Sequence, residues 1–116
     1  MPKLSPIPDD ILTLAASKFR MLSDPTRLTI LRTLMVGGQM SVSEVVDQTG
    51  RNLANVSKHL KQLADAGLLA RRKEGLQVFY RLDDPVIEKI CHLVCDSIYD
   101  ELKKQSAAQR RRLSGR

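Results

Sequence analysis

The stretch from Asn52 to Leu82, NLANVSKHLKQLADAGLLARRKEGLQVFYRL, constrains the fold more than any other part of the chain. Leu53, Val56, Leu60 and Leu63 recur at helical spacing and are predicted to face inward, which leaves a polar and basic free face. The pattern stops at Ala66-Gly67 and passes into two strand-like runs, Leu68 to Lys73 and Leu76 to Leu82, around a two-residue Glu74-Gly75 turn. A short helix presented beside a basic β-ribbon has a shape that fits a DNA groove and its flanking backbone.

The rest of the chain supplies helices around this stretch. Pro8-Asp9-Asp10 opens the first, whose apolar stripe is Ile11, Leu12, Leu14, Ala15, Phe19 and Leu22. Asp24 is placed to cap the second, with Pro25 at its first position, Leu28, Ile30, Leu31, Leu34 and Met35 along it, and Gly37-Gly38 at its end. Ser41 or Ser43 caps a short third helix that runs to Thr49-Gly50, with Glu44 at capping-box spacing from Ser41. Asn52 caps the fourth. After the hairpin, Asp84-Pro85 repeats the helix start, and Val86, Ile87, Ile90, Leu93, Val94, Ile98 and Leu102 give a face too broad for packing on one side. The excess surface calls for a partner, most simply a second copy. The order helix, helix, helix, helix, strand, strand, helix is that of a winged helix-turn-helix, mainly α with a small β-hairpin.

At 116 residues this is one small domain, expected over residues 8–104. Residues 105–116, QSAAQRRRLSGR, are polar and without periodicity, and are expected to form a fraying basic tail. With two Phe, two Tyr and no Trp, the core must be aliphatic. No run approaches the roughly 18 apolar residues of a membrane span and no leader pattern opens the chain, so a cytoplasmic protein with reduced cysteines and no membrane partner is expected. The net charge of +6 is unevenly distributed. Residues 103–116 hold six cations and no acid, and the remaining thirteen cations match all thirteen acids. Within that neutral body, residues 51–81 carry seven cations against Asp65 and Glu74, whereas residues 83–101 carry six acids against Lys89. A polyanion is expected to dock at the positive end only.

Two segments, FRMLSDPTRLTILRTL and NVSKHLKQLADAGLLARRKEGLQVFYRL, resemble the ArsR family of small dimeric repressors, also called the arsenic-repressor or metallothionein-repressor family. The resemblance covers roughly residues 11–102. It implies a homodimer joined through the first and last helices, bound to an inverted-repeat operator and released when an inducer changes the dimer geometry.

The DNA half of that expectation also follows from the residues. The N-terminal half of the fourth helix would enter the major groove with Asn52, Ala54, Asn55, Ser57 and Lys58. Asn pairs with adenine in bidentate fashion, Ser reaches bases or phosphates, and Lys suits guanine or phosphate. Arg71, Arg72 and Lys73 in the wing are placed for backbone or minor-groove contacts, and His59 for helix packing or a phosphate contact. Taken alone, such a polar face is equally a solvated one; the hairpin and the family pattern weigh it toward DNA. In a dimer the two reading helices should sit about 34 Å apart, and affinity should fall steeply with salt.

For the inducer, the family's Cys-x-Cys thiol site falls on Ser41-Val42-Ser43, and its zinc site on the last helix falls on Asp84-Pro85-Val86 with Ser97 and Asp100, so neither is expected here. The persulfide-type pair needs a cysteine in the second helix, which has none. Cys91 and Cys95 remain, four apart on one face of the last helix, where Cβ atoms are about 5–6 Å apart. A disulfide prefers about 3.5–4.5 Å and would be strained. Two thiolates can instead share a soft ion such as As(III) or Sb(III), with a third sulfur from a partner chain. Zn(II) is a second option, with His92 and Asp96 as further ligands. Against both, Glu88, His92 and Asp96 form their own column, nearby acids raise a thiol pKa, and cysteine is a common small residue in packed interfaces. Sensory and structural cysteines both stand as readings, as does a family repressor answering to a redox or other signal.

Other classes fit less well. The chain lacks a Gly-rich phosphate loop, a Cys-x-x-Cys pair, a His-Glu-x-x-His motif and a nucleophile elbow, and it has two histidines, so an enzyme is not expected. A winged helix used only for protein contacts would present an acidic or apolar recognition face; this one is basic and polar.

Overall fold

The structure, a computed structural model, describes residues 6–114. Its elements are α1 (Asp9–Met21), α2 (Pro25–Gly37), β1 (Met40–Ser41), α3 (Val42–Thr49), α4 (Leu53–Asp65), β2 (Leu69–Glu74), β3 (Gln77–Leu82) and α5 (Pro85–Ser114). The chain divides into two compact units, Met1–Asp84 and Pro85–Arg116.

In the first unit, local side-chain chemistry sets the helix starts. The Asp24 carboxylate accepts from the Arg27 backbone N–H at 3.0 Å and Pro25 occupies the first turn of α2. Ser41 and Glu44 close a reciprocal capping box at the head of α3, with the Glu44 N–H donating to Ser41 Oγ at 3.1 Å and the Ser41 N–H to Glu44 Oε1 at 3.0 Å. Asn52 Oδ1 accepts from the Asn55 N–H at 3.2 Å to start α4. Between α3 and α4 the chain reverses at Gly50, whose φ of 65° is left-handed and costs an L side chain about 1–2 kcal/mol.

The core of this unit is aliphatic, as composition requires. Ile30, Leu31 and Leu34 of α2, Val45 of α3, Val56, Leu60 and Leu63 of α4, and Leu68 are essentially fully buried, with Met40, Leu69 and Tyr80 closing the sheet side. Leu53, expected to face inward with them, is 59% exposed. It lies in the first turn of α4, three residues before Val56, the first fully buried residue of that stripe.

The sheet has three strands in the order β1-β3-β2, all antiparallel. β1 was not anticipated: two residues, Met40 and Ser41, pair with Tyr80 and Phe79, and a strand so short has no periodicity to read. The hairpin turn lies one residue later than expected. Glu74 pairs with Gln77, which leaves Gly75 and Leu76 as the loop. Gly75 leads it with φ 59°, the sign pattern of a type II′ turn, which asks for glycine at the first central position.

No residue of α1 is buried, and its Ile11, Leu12, Leu14 and Phe19 are exposed. Lys18 of α1 bonds Asp84 at 2.7 Å.

The second unit is α5, about 45 Å long at 1.5 Å per residue. Ile87 is buried, whereas Val86, Leu93, Val94, Ile98, Tyr99 and Leu102 are exposed. The segment expected as a fraying tail from residue 105 is helical as far as Ser114. Apolar periodicity ends at Leu102, but Lys, Gln, Ala and Arg are good helix formers, and cations in a last turn complement the helix dipole. Residues 115 and 116 lie outside the described part. Among the described residues no helix is long and apolar enough to cross a membrane.

Candidate nucleic-acid interface

The two faces of α4 are sharply different. Val56, Leu60 and Leu63 are at 0% exposure and fasten the helix to the core. At 100° per residue, Ala54, Ser57, Lys58 and Lys61 point the opposite way, flanked by Asn55 and the cap Asn52, and all six are exposed. The orientation of this face is therefore set by side chains that cannot move without opening the core. Lys61 had no place among the expected contact residues. The signal was available, because it stands one turn from Lys58 on the same face.

His59 sits on the flank of α4 and is half-buried, and its Nδ1 is shielded without a hydrogen-bond partner. It lies close to Asp24. The Asp24 carboxyl is held below the usual carboxylate range, chiefly by the hydrogen bond from the Arg27 N–H. Partial burial opposes that shift, and the Arg27 guanidinium and His59 add to it. The ring thus sits beside the buried stripe of α4 and not among its exposed residues. Nearby, the Arg51 guanidinium reaches Thr26 Oγ1 at 3.3 Å and ties the turn before α4 to the first turn of α2.

The wing divides its three cations between two faces. Strand alternation puts Leu69, Arg71 and Lys73 on one side of β2, and their β3 partners Leu82, Tyr80 and Val78 share that side. Leu69 and Tyr80 are buried, so this is the core-facing side; farther along the ribbon it carries exposed Arg71 and Lys73. Arg72 lies on the other side. It pairs with Glu74 at 3.0 Å and its guanidinium lies 5.6 Å from the centre of the Phe79 ring. Leu76, at the tip, is fully exposed.

The cysteines lie on α5. Cys91 is half-buried and Cys95 exposed, and both are free thiols. Burial, and then the neighbouring Cys95, push the Cys91 thiol up from its ordinary value. His92 is exposed and approaches Glu88 at 3.9 Å. Glu88, His92 and Asp96 line a shallow groove together with Pro85, Lys89 and Leu93. Cys91 and Cys95 stand about 100° round the helix from His92 and Asp96, so the four form two stripes. Among the described residues no three His, Cys, Asp or Glu side chains come together to hold a metal ion.

A helix-turn-helix domain model matches residues 22–72, from the end of α1 through Arg72 in β2. An HTH-type transcriptional regulator of Mycobacterium tuberculosis, KmtR, is 39% identical over 95 residues, covering 82% of this chain and 70% of the relative. The arsenical resistance operon repressor of Escherichia coli is 38% identical over 64 residues, 55% of each chain. Among solved structures, a homodimeric winged helix-turn-helix DNA-binding domain from Mycobacterium bovis, described as a possible ArsR-family regulator, superposes with a TM-score of 0.70. It is 30% identical, and the match covers 87% of this chain and 92% of the solved one. With four helices, a hairpin and a fifth helix in this order, a core-anchored α4 and relatives of this similarity, the chain belongs to the ArsR family of winged helix-turn-helix DNA-binding transcriptional regulators.

Proposed function

We propose that the chain works as a homodimeric repressor that reads an inverted-repeat operator with α4 and is released by an inducer; it is a binding protein and not a catalyst. One observation carries the reading. Val56, Leu60 and Leu63 lock α4 into the core while Asn52, Ala54, Asn55, Ser57 and Lys58 stay exposed on its other side. In this reading Asn55 and Ser57 contact base edges, Lys58 and Lys61 meet guanine or phosphate, and Arg71 and Lys73 hold the backbone beside the groove. Arg72, engaged with Glu74 and Phe79, stiffens the wing as much as it touches DNA.

Dimerisation is supported by the apolar side chains left exposed on α1 (Ile11, Leu12, Leu14, Phe19) and on α5 (Leu93, Val94, Ile98, Leu102). The similar domain from Mycobacterium bovis is homodimeric. Cys91 and Cys95 are the candidate inducer site. Two thiols from each copy would give a soft ion such as As(III), Sb(III) or Zn(II) enough ligands, whereas among the described residues of one chain no three such side chains come together.

The test is fluorescence anisotropy with an operator selected from a random pool. Asn55→Ala should weaken operator binding by about 1–3 kcal/mol and leave the fold intact. Equal binding by wild type and variant, or retention without any salt dependence, would remove α4 as the reader and favour a protein-contact role. Arsenite added to the complex should release DNA from wild type and not from the Cys91→Ser, Cys95→Ser double variant; equal responses would exclude the thiols.

A further inference from the structure

At Leu102, α5 changes character. From Pro85 to Leu102 it combines apolar residues with Glu88, Asp96, Asp100 and Glu101 against the single cation Lys89. From Lys103 to Arg112 it has no acid and no apolar side chain larger than alanine. Lys103, Lys104, Arg110, Arg111 and Arg112 are all exposed there, on continuous helix. Seven residues are nearly two full turns, so Arg110 returns to within about 20° of Lys103, and Arg111 to within about 20° of Lys104. These four cations share an arc of about 120°, as two pairs about 10 Å apart along the axis, with small Ala107 between them. Lys103, Lys104, Arg110, Arg111 and Arg112, with Arg116, account for the whole net charge of +6, since residues 1–102 balance.

We propose that this cationic stripe is a second nucleic-acid contact, which lies on the phosphate backbone of duplex DNA and adds sequence-independent affinity to base reading by α4. The proposal rests on the reading of the chain as an operator-binding protein. Duplex DNA fits better than a protein surface for a physical reason. Helices pack through apolar ridges, and this segment has none to offer. Exposed ion pairs between proteins contribute about 0–1 kcal/mol each. Cations set against a duplex instead displace condensed counterions, and each neutralised phosphate steepens the salt dependence by about 0.9. The helix holds the four cations in register, which a disordered tail would not, and Ala107 leaves room for close approach.

The experiment uses the full chain with Lys103→Gln, Lys104→Gln, Arg110→Gln and Arg111→Gln combined, because Gln matches Lys and Arg in helix propensity. A random-sequence duplex and a selected operator are titrated across a salt series, and molecular mass is followed by sedimentation. The log–log salt slope should fall by about 2–4 and random-duplex affinity by about tenfold or more at 0.15 M salt, with mass unchanged. Lys103→Arg with Lys104→Arg should keep the wild-type slope. An unchanged slope in the Gln variant overturns the stripe and leaves α4 in place, and a change of mass assigns it to contacts between copies and overturns it too. Asn55→Ala, run in parallel, should affect only the operator. If it affects neither duplex while the Gln variant loses slope, base reading by α4 fails and the stripe stands. Wild type that binds no duplex overturns both.

Discussion

α4 and α5 are both amphipathic helices with cations, yet the chain treats their apolar faces in opposite ways. On α4, Val56, Leu60 and Leu63 are at 0% exposure, so its polar side is aimed by the chain's own core. On α5, Leu93, Val94, Ile98 and Leu102 are left in the open. In the proposed function, a helix that presents side chains to base edges needs a rigid seat, whereas a helix that joins copies keeps its apolar surface for the partner. On that reading the difference also separates two kinds of stability, one intrinsic to the chain and one that depends on concentration.

The largest expected effect therefore comes from the seat of α4. Leu60→Ala should destabilise the fold by about 2–5 kcal/mol in urea melts, independent of protein concentration. Leu93→Ala should leave the melt of dilute protein within about 0.5 kcal/mol and shift the monomer–dimer equilibrium in sedimentation instead. Equal effects of the two substitutions would erase the contrast. Gly50→Ala comes next. No atom lies within 4 Å of the added Cβ, so its expected cost of about 1–2 kcal/mol is backbone strain at φ 65° alone. A neutral result would mean that the α3–α4 turn relaxes and does not fix the angle of the reading helix.

Two smaller effects follow from titration. Asp24 is depressed in the folded state, so its contribution is present above the ordinary carboxylate range and is lost as pH falls through the lower folded value. Asp24→Asn should flatten the acid limb of the stability–pH curve at the start of α2, and an unchanged limb would contradict the cap. On α5, Cys91 is half-buried with a raised pKa while Cys95 is exposed. Iodoacetamide should thus modify Cys95 first near neutral pH and reach Cys91 only as pH rises, read by mass spectrometry of peptides. The reverse order would place Cys91 in a more open, more electropositive setting.

Much of this was legible in the sequence because its signals are local. Asp24-Pro25, Ser41 with Glu44, and Asn52 announce helix starts through bonds that span three residues, and each is made. Features set by distant partners were not legible. β1 exists because Met40 and Ser41 meet β3 some forty residues on. The hairpin turn slipped by one because Glu-Gly and Gly-Leu share the same glycine, and only the Glu74–Gln77 pair decides between them. Period-two alternation could have split Arg71 and Lys73 from Arg72, but the core-facing side is known only once Leu69 and Tyr80 are seen buried. The helix beyond Leu102 escaped notice because propensity, without an apolar face, is a weak signal.

Base reading by this chain depends on whether α4 is the surface that meets the duplex. Backbone amide shifts of the labelled protein, followed as a selected operator duplex is added at fixed salt, test this directly. The largest changes are expected at residues 52–61, with a second set at 71–73 in the wing. Shifts confined to α5, or an α4 that stays silent while DNA binds, would contradict base reading by α4.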